Sequence, residues 1–93
     1  WSLRPWLVMR ELGIPFEERL MVFAPGSNHA AFRRFSPAGT VPCLVDSQAD
    51  GECTVWESLA IVEYLAERHA GVWPADPAAR AWARSAAAEM HAG

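Results

Sequence analysis

Two short stretches hold the residues with the most chemistry to offer. The first is Gly39-Thr40-Val41-Pro42-Cys43-Leu44-Val45-Asp46; the second, after a turn, is Trp56-Glu57-Ser58-Leu59-Ala60-Ile61. In the first, an X-Pro step ends a loop and opens a short apolar strand. In the second, an acid and a serine open an amphipathic helix, where oxygens can satisfy the free N–H groups of the first turn. That order suggests a cradle for a peptide ligand, with the helix N-terminus able to attract an anionic group. Each stretch also has a purely structural reading. Val41-Pro42 reads as an ordinary trans proline at a strand start, cis bonds being only about 5 to 6% of X-Pro bonds, and Glu57-Ser58 reads as a polar helix cap.

The remaining reactive residues offer less. Cys43 and Cys53 fit neither a C-x-x-C redox pair nor a zinc spacing. In a hairpin turning at Asp50-Gly51, Cys43 falls opposite Trp56 and Cys53 opposite Asp46, at opposite ends of the ladder and too far apart to bridge. Cys43 therefore reads as a small core residue. His69 and His91 stand isolated, without metal-ligand spacing.

The elements that must position these residues form one small α/β unit. The 93 residues, 52% hydrophobic and 20% charged with a net charge of −3, describe one globular domain with a modest core. Scattered arginines and a slight negative charge argue against nucleic acid as a partner. No apolar run is long enough to span a bilayer and no signal segment opens the chain, so the expected location is cytoplasmic and no membrane partner is expected.

Residues 1–12 place Trp6, Met9 and Leu12 on one helical face, with Gly13 past the end. Residues 16–23 alternate in the manner of an edge strand, residues 24–28 form a loop, and residues 29–35 suit a short helix. A hairpin over residues 43–56 leads to a helix over residues 57–69 with Leu59, Val62, Leu65 and Ala66 facing inward. Ala70-Gly71 stops that helix. Asp76 as N-cap and Pro77 at the first position then announce another, carrying Trp82, Ala86 and Met90 at a spacing of four. Its alanines suit close packing against a helix, and the tryptophans read as packing residues.

Taken together, Trp1-Ser2-Leu3-Arg4-Pro5-Trp6-Leu7, Ser36-Pro37-Ala38-Gly39-Thr40-Val41-Pro42 and Glu57-Ser58-Leu59-Ala60-Ile61-Val62-Glu63-Tyr64-Leu65 resemble the N-terminal domain of glutathione S-transferases. Residues 77–93 resemble the first helix of that family's all-helical second domain. The resemblance implies a thioredoxin-like domain over residues 1–70, a linker over 71–76 and the start of the helical domain over 77–93. It also implies that the chain is a piece of a longer protein, lacking the domain's first strand. That strand lies between its neighbours in the sheet, and without it buried N–H and C=O groups lose partners at about 1 to 3 kcal/mol each, so the 93 residues alone are expected to fold poorly.

The resemblance implies roles as well. Val41-Pro42 would be cis, turning the Val41 N–H and C=O toward the cysteinyl unit of glutathione. The Ser58 N–H and hydroxyl would hold the γ-glutamyl carboxylate, with Glu57 facing the ammonium group. Asn28, His29 and Arg33 lie where some members gather polar side chains for the glycine end, and otherwise read as solvated loop residues; at that end Thr40 replaces the longer polar residue often found before Val-Pro. A hydroxyl near the start of the first helix would favour thiolate: lowering a thiol pKa from about 8.5 to about 6.5 raises the thiolate fraction at neutral pH from roughly 3% to roughly three-quarters. In Ser-using members that serine falls just upstream of Trp1, so Ser2 is the catalytic candidate within the chain and otherwise a helix N-cap.

The implied activity is transfer of the glutathione thiolate to an electrophilic small molecule. Glutathione is the co-substrate, no metal takes part, and a homodimer is expected from the family. Alternatives on the same scaffold are a glutathione-dependent isomerase, a thiol transferase, and a non-catalytic binding protein.

Overall fold

The computed structural model describes residues 3–18, 34, 36–47 and 51–93. Helix α1 spans Leu3–Glu11, strands β1 and β2 span Cys43–Asp46 and Cys53–Trp56, helix α2 spans Ser58–Arg68, and helix α3 spans Pro77–Ala92. The expected helix at 29–35 lies outside the described residues, apart from Arg34 in a turn.

Helix α1 ends where the sequence says it should. Gly13 takes φ 68°, a left-handed conformation that a side chain disfavours, and the Ile14 N–H returns to the Met9 carbonyl at 2.9 Å. Residues 16–18 belong to no strand, although residues 16–23 alternate as one, and residues 19–23 lie outside the described set. Alternation alone does not make a ladder. No described strand runs alongside, and the segment is instead anchored by side chains: Phe16 packs on the core and Glu18 accepts from Trp6 Nε1 at 3.2 Å.

The hairpin pairs antiparallel with the expected register, Cys43 opposite Trp56 and Asp46 opposite Cys53. Both cysteines are free thiols. Helix α2 packs against α1 and both strands. Its buried residues are Ser58, Ile61 and Leu65, a face turned about one residue from the expected one, with Leu59, Val62 and Ala66 only half-buried. Contact with two neighbours at once centres the buried face on Ile61, which is 1% exposed. Met9, Ile61 and Leu65 form the core, with Val8, Ile14, Phe16, Leu44, Val55 and Val72 packed around it.

Helix α3 begins as predicted, with Pro77 in its first turn and Asp76 Oδ2 accepting from the Ala79 N–H at 2.9 Å. It contributes no buried residue. Trp82 and Met90, expected to pack, are 75% and 65% exposed, and Trp56 is also exposed. No described element lies against that stripe of α3. No helix among the described residues is long and apolar enough to cross a membrane.

Candidate functional site

The register of the hairpin brings the two chemistry-bearing stretches together. Cys43 and Trp56 are the terminal pair of the ladder, so Val41-Pro42, just before β1, and Glu57-Ser58, just after β2, leave the sheet at the same end.

Ser36 builds the first half of this end. Its carbonyl accepts from the Gly39 N–H at 2.9 Å, closing a tight turn that needs Gly39 at φ 70°. Its hydroxyl accepts from the Thr40 N–H at 3.4 Å and also bonds the Cys43 thiol, and the residue is wholly buried. One serine thus holds the loop on both sides of Val41. The Val41–Pro42 bond is cis. Neither the N–H nor the C=O of Val41 has a hydrogen-bond partner among the described residues.

Glu57 and Ser58 build the second half, with a division of labour the sequence did not show. Glu57 is the N-cap: its Oε1 accepts from the Leu59 N–H at 3.1 Å and the Ala60 N–H at 3.3 Å. The capping requirement is therefore met without Ser58. Ser58 is only 3% exposed, yet neither its N–H nor its hydroxyl has a partner among the described residues. The second Glu57 oxygen, Oε2, lies 2.6 Å from His91 Nε2 in the last turn of α3.

Two contacts stiffen the scaffold behind the site. The Tyr64 hydroxyl donates to Asp46 Oδ2 at 2.7 Å, tying α2 to the far end of β1. That bond, helped by burial and opposed by the Arg68 guanidinium stacked 3.7 Å over the ring, pushes the phenol up to about 12. Burial pushes the Cys43 thiol up, against a smaller downward pull from Ser36, so Cys43 is a protonated packing residue at neutral pH.

The sequence reading passed over two residues. Ser36 carried a signal, the Ser-Pro-x-Gly turn, but its buried hydroxyl did not show. His91 carried none, because its partner is remote in sequence. Ser2, Asn28, His29 and Arg33 lie outside the described residues, and Thr40 is exposed with its N–H committed to Ser36. Among the described residues no group of three or more His, Cys, Asp or Glu gathers in a metal-holding arrangement.

The family model for the glutathione S-transferase N-terminal domain matches residues 1–68. The chain belongs to the glutathione S-transferase family. Its α/β architecture is accordingly that of the family's thioredoxin-like N-terminal domain, here with the two-stranded hairpin and its helices, followed by one further helix. Glutathione S-transferase GstB of Escherichia coli is 37% identical over 97 residues, covering 94% of this chain and 46% of the relative. Dichloromethane dehalogenase of Methylorubrum extorquens is 42% identical over 69 residues, 70% of this chain and 23% of the relative. Glutathione S-transferase 2 of Schizosaccharomyces pombe is 36% identical over 72 residues, 70% of this chain and 30% of the relative. The chain thus spans less than half the length of these glutathione S-transferase relatives. No solved structure matches it.

Proposed function

We propose that the Val41-Pro42 turn and the Glu57-Ser58 helix tip bind glutathione, and that the full-length protein transfers the glutathione thiolate to an electrophilic small molecule. The observation that carries this reading is the ladder register, which sets the unpaired Val41 peptide unit and the Ser58 N–H, left over by the Glu57 cap, at one end of the hairpin. In this arrangement the Val41 N–H and C=O pair with the cysteinyl unit as an edge strand would. The Ser58 N–H and hydroxyl take the γ-glutamyl carboxylate, assisted by the N-terminal end of α2. Glu57 takes the ammonium through its Oε2, its Oε1 being held by the helix.

Thiolate formation falls to a hydroxyl at the N-terminal end of α1, for which Ser2 is the candidate within this chain. The same proposal divides the protein into a glutathione-binding unit over 1–70, a connection over 71–76 and the beginning of a helical unit at 77–93. That helical unit would complete the electrophile pocket and contribute to a homodimer. One relative is named for dehalogenation of dichloromethane, so a halogenated carbon is a sensible first electrophile.

The test is calorimetric titration of the full-length protein with glutathione, followed by turnover assays with a panel of electrophiles. Ser58→Ala is expected to weaken binding by about ten-fold to a hundred-fold, the range for a hydrogen bond to a charged group. Glu67→Gln, exposed at the other end of α2, should leave it unchanged. Binding without turnover would reassign the protein to a non-catalytic role. Absence of binding would overturn the proposal.

A further inference from the structure

The Glu57 carboxylate is shared between two helices. Oε1 caps α2 through two backbone N–H groups, and Oε2 meets His91 Nε2 at 2.6 Å. An ionised carboxylate has acceptor sites for about four donors, so Oε2 retains capacity for one more after His91. The pair is partly exposed, with side chains at 26% for His91 and 48% for Glu57, so a ligand can reach it. We propose that His91 determines how strongly this site attracts the amino end of its ligand, by switching Glu57 between a neutralised and a negatively charged partner. The inference rests on the glutathione reading above.

The sign follows from charge. An imidazole changes charge between about pH 5 and 8. Protonated, His91 forms an ion pair with Glu57, the local charge sums to zero, and a ligand ammonium finds little attraction. Neutral, His91 still donates an N–H to Oε2 and keeps the carboxylate aimed, but the full negative charge of Glu57 remains for the ammonium. Affinity for an amine-bearing ligand therefore rises across the range in which an imidazole loses its charge, about pH 5 to 8, and ligand binding at the lower end expels a proton. Besides the capping Glu57, the charged groups on the two helices are Glu63, Glu67 and Arg68 on α2 and Arg80, Arg84 and Glu89 on α3, with Glu89 two residues before His91. Arg84 is held by Glu63 at 3.2 Å and so does not compete for Glu57.

His91 is thus a specificity-determining residue, acting on the ligand through Glu57. The test uses S-methylglutathione, which has no titrating thiol, and a des-amino analogue with glutaryl in place of γ-glutamyl. Both are titrated calorimetrically into the full-length protein between pH 5.5 and 7.5. Wild type should bind S-methylglutathione about three- to five-fold more tightly at the upper pH, the scale of a partly exposed ion pair. The des-amino analogue should show no such slope. His91→Gln, which donates without titrating, should flatten the profile while keeping the higher affinity; His91→Asn gives a second, shorter donor should the glutamine perturb α3. Proton release on binding at the lower pH, read from buffers of different ionisation enthalpy, should be present in wild type and absent from both variants. A slope that survives in both variants, or one that persists with the des-amino analogue, overturns the role of His91 and leaves the glutathione site standing. Failure of wild type to bind S-methylglutathione at any pH overturns the site itself, and the His91 inference with it.

Discussion

Helices α2 and α3 are held in the molecule by different forces. Helix α2 is fixed by apolar contact, with Ile61 and Leu65 buried against Met9 of α1 and with Leu44 and Val55 of the hairpin packed around them. Helix α3 has no buried residue. Its described ties are polar: Arg84 with Glu63, His91 with Glu57, and Arg80 donating to the carbonyls of Pro74 and Ala75. The Arg84–Glu63 pair falls midway along both helices, while the His91–Glu57 contact joins the start of α2 to the end of α3, so the helices are antiparallel. Burying an aliphatic side chain contributes about 1.5 to 3 kcal/mol, whereas an exposed ion pair contributes about 0 to 1. The difference assigns tasks. Packing sets the distance between the Val41 turn and the Ser58 tip, while exposed polar contacts hold α3 to α2 and leave that attachment open to salt.

Three measurements on the full-length protein sharpen or break this contrast. The largest effect is expected for Ile61→Ala, which empties the centre of a small core and should cost about 2 to 5 kcal/mol in denaturant unfolding. A loss below about 1 kcal/mol would mean that packing does not set the α2 position.

The second concerns the tie between α2 and β1. The raised phenol value means that folding favours protonated Tyr64. Its contribution is present below the ordinary phenol range near pH 10 and is lost as pH rises from there to about 12. Phenolate absorbance, taken as the difference between wild type and Tyr64→Phe, should titrate near 12, and in Asp46→Asn should fall back toward about 10. An unchanged midpoint in Asp46→Asn would sever the proposed link between helix and hairpin.

The smallest effect is expected for α3. A double-mutant cycle on Arg84 and Glu63, whose side chains are 44% and 41% exposed, should give a coupling of about 0.5 kcal/mol or less that shrinks in high salt. A coupling well above 1 kcal/mol, insensitive to salt, would show that α3 is held as firmly as α2.

Much of this was legible before any coordinates. The hairpin register could be read because two short strands flank a Gly-containing turn, which leaves few alternatives in a period of two. The start of α3 could be read because Asp76-Pro77 combines a cap with a residue suited only to the first turn. The buried face of α2 was less legible: Leu59, Ala60, Ile61, Val62, Leu65 and Ala66 surround much of the helix, and only contact with α1 and the hairpin selects the side centred on Ile61. Residues 16–18 misled because alternation shows which way side chains point and not whether a neighbouring strand exists. Within the site, Val41-Pro42 and Glu57-Ser58 stood out by type and spacing. His91 could not, since a side-chain contact between two helices leaves no local pattern.

The half-buried position of Cys43 has a bearing on redox behaviour. A thiol-bearing tripeptide docked at the end of β1 would sit near a second sulfur, and two neighbouring sulfurs invite a mixed disulfide under oxidising conditions. Exchange runs through the thiolate, and the sheltered position of Cys43 keeps its proton in place. The same packing that shapes the loop therefore protects the proposed ligand from being captured by its own binding site.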